Sequence, residues 1–158
     1  MKIKLLCVGK VKEKYFTDAI NEYVKRLSKF TAVEIIEVPD EMTKDKASEA
    51  ENLTVLKKEG DRLLSKIKDS DYVISLEIEG RKLSSVELAG TISNICLKAS
   101  TICLVIGGSL GLDDRIKKRS DFHLSFSDLT FPHQLMRVIV LEQLYRAFKI
   151  NNNEPYHK

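Results

Sequence analysis

A chain of 158 residues that is 43% hydrophobic and 31% charged is long enough to bury a substantial core and too short to divide readily, so one domain over residues 1–158 is expected. The net charge of +3, from 26 basic and 23 acidic side chains, names no partner; only the placement of those charges can. The opening apolar run, MKIKLLCVGK, is too short for a signal-peptide core or a membrane span, which makes a cytoplasmic protein with no membrane partner the expectation.

Short β-rich runs alternate with helical patterns along the chain. Residues 3–8 (IKLLCV), 33–38 (VEIIEV), 72–78 (YVISLEI) and 101–106 (TICLVI) read as strands, with 122–126 (FHLSF) a short further one. Between them, residues 14–29 place Phe16, Ile20, Tyr23, Val24 and Leu27 on one helical stripe. Residues 48–67 are long and charged, opened by a capping box from Ser48 to Glu51, and Ser84 to Glu87 repeats that box before Val86, Leu88 and Ile92. This alternation predicts an α/β fold with a mostly parallel sheet flanked by helices. The charged stretch 39–59 reads as a loop and an exposed helix start. Cys7, Cys96 and Cys103 sit in apolar runs with no Cys or His at metal-ligand spacing, which predicts buried thiols and no metal.

Open α/β sheets take ligands outside the carboxyl ends of their strands. Those ends lead here into residues 9–13, 77–83, 107–112 and 125–131, where the glycines gather. Lys10, Lys12, Lys14, Arg81 and Lys82 gather there too, either as ordinary loop residues or as a basic rim that attracts phosphates; on the second reading Lys10, Lys12 and Arg81 are RNA contacts. Gly107, Gly108 and Gly111 do not make a dinucleotide fingerprint, and Gly9-Lys10 lacks the Ser or Thr of a P-loop. Gly107 and Gly108 instead offer backbone without side chains, which permits positive φ and close approach to a flat heterocycle.

The segment LSFSDLTFPHQLMR follows. Pro132 suits a first helical turn and pushes Phe131 out of the α region, so a loop turns into a helix there. The helix over 132–150 is apolar around most of its circumference and requires cover on several sides, one of them by self-association. His133 and Arg137 share a face, as do Glu142 and Arg146.

GGSLG, the long segment LSFSDLTFPHQLMRVIVLEQLYRAFKI and the terminal PYHK, together with IxEVPDE and LEIEG, closely resemble the small SPOUT-class RNA methyltransferases of the large-subunit rRNA methyltransferase H family over essentially the whole chain. The resemblance implies a C-terminal trefoil knot, which local rules would not predict. It also implies a homodimer built through the last helix, S-adenosylmethionine as methyl donor, and N3 of a pseudouridine in a large-subunit (23S) rRNA stem-loop as acceptor, on the ribosome or its rRNA. Carried over by position, the cofactor contacts fall on Leu76, Gly107, Phe126, Ser127, Asp128, Leu129, Thr130 and Phe131. Leu110 departs from the polar residue expected between Ser109 and Gly111, which leaves that turn a backbone role.

Methyl transfer to such a nitrogen needs positioning, exclusion of water and a group to take the departing proton. Candidates for the catalytic group are His133, Glu142, Tyr156 and His157. The tail is favoured, with Tyr156 to stack on or bond the base and His157 as proton acceptor, while for His133 helix capping or packing is at least an equal alternative. Arg137 reads as an RNA phosphate contact or a dimer contact. Two other classes stay open at this stage. One is a nucleotide hydrolase using Asp113, Asp114 or Asp128 for a metal; the other is a non-catalytic, ribosome-associated RNA-binding dimer.

Overall fold

The computed structural model describes residues 1–158. The apolar and β-branched runs form strands β1 (Lys2–Val8), β2 (Ala32–Val38), β3 (Tyr72–Lys82), β4 (Thr101–Ile106) and β5 (Phe122–Ser125). Between and after them lie helices α1 (Lys14–Leu27), α2 (Glu49–Leu64), α3 (Ser85–Cys96), α4 (Asp114–Arg119) and α5 (His133–Asn151). The strands make one five-stranded sheet in the order β2-β1-β4-β3-β5, with every pairing parallel. This is the expected α/β architecture, and both faces of its central strands are buried, as parallel sheets require.

Alternation along each strand sorts the core into two layers. Ile3, Leu5, Ile74, Leu104 and Leu124 face one way, onto Ile20 and Leu27 of α1, Leu88 and Ile92 of α3, and Leu141 and Leu144 of α5. Leu6, Val8, Val73, Cys103 and Val105 face the other way, onto Leu63 of α2 and Ile116 of α4. Cys7 and Cys103 are buried and Cys96 is half-buried, all as free thiols, and burial pushes the thiols of Cys7 and Cys103 up to about 12. At the amino ends of β1 and β3 the buried Lys4 Nζ meets Asp71 at 2.5 Å and donates to the Lys66 carbonyl at 2.8 Å. A buried charge pair of this kind is retained only when its remaining hydrogen-bonding groups are satisfied. No helix is long and apolar enough to cross a membrane.

Three local expectations are revised. Strand β3 continues to Lys82 rather than ending at Ile78, because a register shift between Leu76 and Arg81 lets the chain bulge and pair with β5 again. Gly80 makes the second contact possible: a Cβ there would lie 2.7 Å from the Leu124 carbonyl carbon and 2.9 Å from that of His123. The capping box at Ser84 is complete, with Ser84 Oγ accepting from Glu87 N and the Glu87 carboxylate accepting from Ser84 N. At Ser48 only the first half forms, Ser48 Oγ accepting from Glu51 N. Helix α4 is too short for periodicity to reveal and is capped by Asp113, whose carboxylate accepts from Arg115 N at 2.9 Å.

The strand order sets the carboxyl ends of β1, β4, β3 and β5 side by side, so their following loops share one edge. Gly80→Ala should destabilise the fold by about 1–3 kcal/mol, since the obstructing atoms are backbone. Gly90→Ala on α3, where a Cβ meets nothing within 4 Å, should stabilise it by up to about 1 kcal/mol. Urea denaturation of both variants checks the pair.

Candidate active site

The loops after β3, β4 and β5 and the start of α5 enclose a cavity of about 440 Å³, within the usual range for a small-molecule site. Strand β3 contributes Leu76, Glu77 and Ile78; Ile106 and the glycine turn contribute the adjoining wall. The β5–α5 loop supplies Phe126, Ser127, Leu129, Thr130 and Phe131, and α5 closes the floor with His133 and Met136. Of the eight residues expected at a cofactor, seven line this cavity. The eighth, Asp128, turns outward, where its carboxylate takes two bonds of 2.7 Å from Lys82.

The glycines divide their duties differently from expectation. The positive φ falls on Gly111 (83°) and Gly9 (85°), not on Gly107 or Gly108. Gly107 is required by close approach, since a Cβ there would lie 2.3 Å from the Gly111 carbonyl oxygen. The turn closes through Gly111 N donating to Gly108 O at 3.1 Å. In the loop opposite, Ser127 Oγ accepts from Leu129 N at 3.0 Å, and Ser125 Oγ donates to the Ser127 carbonyl at 3.2 Å. Serine side chains thus take up backbone bonds that a short loop leaves open.

Arg137 corrects its assignment. Expected at RNA or at a dimer contact, it is fully buried. Its Nη2 donates to the carbonyls of Val8 (3.0 Å) and Gly9 (2.9 Å), and Nη1 to Glu37 at 2.6 Å. The same Glu37 carboxylate accepts from Val11 N at 3.1 Å. A planar guanidinium suits this clamp of α5 onto the ends of β1 and β2; only its Nε lacks a partner, and because the whole group is buried it offers nothing to an RNA phosphate.

His133 sits one helical turn before Arg137 and half-buried in the cavity wall; its Nδ1 is buried without a partner. Burial first, and then the Arg137 charge, pull the imidazole below its ordinary 6.5, with Asp40 acting the other way. It is therefore a neutral ring at neutral pH.

The tail lies elsewhere. Tyr156 and His157 do not line the cavity but fold onto the later turns of α5. Tyr156 Oη donates to Glu142 at 3.0 Å, its ring meets Tyr145 edge-on at 4.9 Å, and the Arg146 guanidinium stacks over it at 4.8 Å. Burial and the bond to Glu142 raise the phenol to about 12. Arg146 also reaches His157 Nδ1 at 3.2 Å and Glu142 at 2.5 Å. Glu142 lies nine positions beyond His133 on the helix, or roughly 13 Å along its axis, so one protomer does not bring its tail to its own cavity.

Lys10, Lys12 and Arg81 are exposed beside the cavity edge and form no ion pair, whereas Lys14 pairs with Asp18 and Lys82 with Asp128. The aspartates of the hydrolase alternative are not gathered: Asp113 caps α4 and holds Arg115, and Asp128 holds Lys82. Sequence reading missed Glu77, Ser109 and Met136 as wall residues. Glu77 was within reach, being the next residue after Leu76 at the same strand end.

Residues 1–157 match the family model described as "Predicted SPOUT methyltransferase". Proteins called ribosomal RNA large subunit methyltransferase H from Streptococcus suis and Bifidobacterium animalis subsp. lactis are each 55% identical over 159 aligned positions, covering all of both chains. The chain belongs to this methyltransferase H family. Among solved structures, a probable methylase family protein from Haemophilus influenzae (TM-score 0.55, 14% identity) covers 99% of this chain and 70% of its own. A tRNA methyltransferase from Aquifex aeolicus (TM-score 0.55, 17% identity) covers 92% and 70%. These last two establish a shared fold. In this SPOUT methyltransferase the cavity and the tail occupy different stretches of α5, the one at its start and the other near its end.

Arg137→Met should cost roughly 2–4 kcal/mol in urea denaturation, because two carbonyls and Glu37 lose their donor; a loss below about 0.5 kcal/mol would remove Arg137 from the clamp. His133 has a folded value below its unfolded one, so the unfolded chain binds the extra proton first and stability falls as pH drops below 6.5. The fall levels off below the folded value. His133→Gln should flatten the difference in denaturation midpoint between pH 7.5 and pH 5.5, by about the window in which a histidine titrates.

Proposed function

We propose that this methyltransferase transfers the methyl group of S-adenosylmethionine to N3 of a pseudouridine in large-subunit (23S) rRNA, as one domain acting in a cytoplasmic homodimer. The single observation that carries the reading is the cavity: three loops distant in sequence meet in one mostly apolar hollow, and seven of the eight expected cofactor residues wall it. The relatives' name supplies the substrate class.

The residues present fit the donor. Leu76, Ile106, Leu129 and Phe131 offer apolar walls for adenine, while Gly107 and the 126–131 loop present main-chain groups without side chains in the way. The bound cofactor supplies an electrophilic methyl. Helix α5 and the clamped β1 end hold the floor of the site, and Lys10, Lys12 and Arg81 stand free at the rim for phosphates. A neutral His133 in the wall shapes the cavity and excludes water.

The tail acts on the acceptor base. As folded here, Arg146 donates to His157 Nδ1, so the imidazole's lone pair is occupied and its remaining proton sits on Nε2. His157 must leave Arg146 before it can reach the base, and Tyr156 stays a neutral phenol able to stack or donate. Because the tail lies along α5 and away from its own cavity, the complete site joins the cavity of one protomer to the tail of its partner across α5. Half-buried Leu135, Val138 and Ile139 supply the apolar face for that association. The reading includes a C-terminal trefoil knot, supported by the family match, in the segment where the β4–β5 crossover passes β3 on the α4 side and α5 lies on the other.

The test is methylation of ribosomal particles with labelled donor, followed by mass mapping of the rRNA. Full-length protein should modify one pseudouridine at N3. A chain ending at Asn153 should keep its affinity for S-adenosylmethionine by calorimetry yet lose at least about 100-fold in rate, the scale of a lost acid–base group and misplaced substrate. Full activity without the tail, or methyl on another atom, would refute the corresponding part.

A further inference from the structure

Glu77 is the one carboxylate among the 18 residues that line the cavity. Its side chain is only 13% exposed, and it is fastened from behind. Ser75 Oγ, on a fully buried residue of the same strand, donates to Glu77 Oε2 at 2.5 Å. His123 Nδ1, from neighbouring β5, contacts the same oxygen and stands 3.1 Å from Ser75 Oγ. Burial pushes the Glu77 carboxyl upward, but the bonds from Ser75 and His123 and the charges of His123 and Lys117 outweigh it, and the group is held below the usual carboxylate range.

One oxygen of this carboxylate is thus committed and the other is not. Oε1 takes no hydrogen bond from the protein and is not a sealed, orphaned atom. An ionised carboxylate only accepts. A partly buried one, pre-oriented by two partners at a cavity wall, is an unfilled acceptor awaiting donors. Its neighbours narrow the choice of donor. Glu77 directly follows Leu76, and across from it on adjacent β4 runs the turn from Gly107 to Ser109. In a nucleoside the sugar is bonded directly to the base, so the donors beside the adenine wall are the exocyclic amino group of the base and the ribose diol rather than the amino-acid end of the ligand. Of these only the diol offers two hydroxyls to one carboxylate oxygen.

We propose that Glu77 accepts hydrogen bonds from the ribose hydroxyls of the nucleoside ligand through its free carboxylate oxygen, and that Ser75 and His123 are the positioning residues that aim it. This rests on the methyl-donor reading above and adds a determinant of ligand choice: an anionic, acceptor-only wall that selects an intact cis-diol. Neither Ser75 nor His123 touches the ligand in this scheme.

Calorimetry with two probes and a control separates the possibilities. S-adenosylmethionine carries both the diol and the charged amino-acid arm; 5′-methylthioadenosine lacks the arm. The 2′-deoxy analogue of 5′-methylthioadenosine, which keeps the adenine amino group but not the intact diol, is the control that E77Q should bind nearly as well as wild type does; an undiminished E77Q loss with it overturns the proposal. Glu77→Gln should weaken both by a similar factor, about tenfold to a hundredfold for bonds to a charged acceptor. His123→Ala should weaken both less, and should raise KM for the donor with kcat little changed. An E77Q protein that binds both probes as well as wild type overturns the proposal. So does a loss confined to S-adenosylmethionine, which would make Glu77 a partner of the amino-acid arm. Wild-type protein that binds neither probe would overturn the methyl-donor reading itself, and this proposal with it. Circular dichroism and melting of each variant show whether the fold is kept, and Glu77→Asp, which retains the charge on a shorter arm, should recover part of the affinity.

Discussion

The structure hangs on one buried guanidinium. Arg137 brings a positive charge into the interior at the point where α5, β1 and β2 converge, and it is tolerated there because Glu37 balances the charge and the Val8 and Gly9 carbonyls take two further bonds, only Nε being left buried without a partner. Those two carbonyls belong to the last residues of a strand turning into a loop, where no sheet partner is available. Gly9 must turn with φ of 85° to present its oxygen, so the glycine and the arginine form one device. With it in place, the first turn of α5 is fixed against the sheet edge, and everything that α5 carries is fixed too.

The cavity follows from that placement. Its outer wall is the 126–131 loop, which is tied at one end to β5 and at the other to a helix that Arg137 clamps to the end of β1. Its inner wall is the glycine turn, where the approach of Gly107 to the Gly111 carbonyl leaves no room for a side chain. A hollow built from strand ends in this way presents main-chain groups and apolar side chains, with Glu77 as its single fixed negative charge. Such a lining suits a flat heterocycle with a sugar better than a chain of phosphates, which would call for cationic side chains within the wall.

The last turns of α5 answer a different need. Glu142, Tyr145 and Arg146 hold Tyr156 by an acceptor, a ring edge and a stacked cation, an arrangement that keeps the tail ordered on the helix. The buried Arg146 Nε is left without a partner, so the clasp is not fully satisfied. Helix α5 thus serves at its start as a wall of the cavity and near its end as a berth for the tail.

The sequence alone determined most of the strand bounds, the parallel α/β class and the helix starts at Ser48 and Ser84, because each is written in local periodicity or in a contiguous motif, and the family resemblance supplied much of the cavity lining. Which of the two capping boxes closes fully was decided by the structure. The family was legible as well, since GGSLG, the 124–150 segment and PYHK recur together. What only the tertiary structure decided were the meanings of isolated polar residues. Arg137, spaced like a surface arginine beside His133, is a buried clamp because β1 and β2 end underneath it. Asp128 leaves the cavity because Lys82 is extended past its expected strand end by the bulge at Gly80. Glu77 becomes a fixed acceptor because β5, 46 residues on, brings His123 beside it. Local patterns fix which face of an element is apolar; they carry no record of which distant atoms a polar side chain will meet, and that is settled only when the sheet order is set.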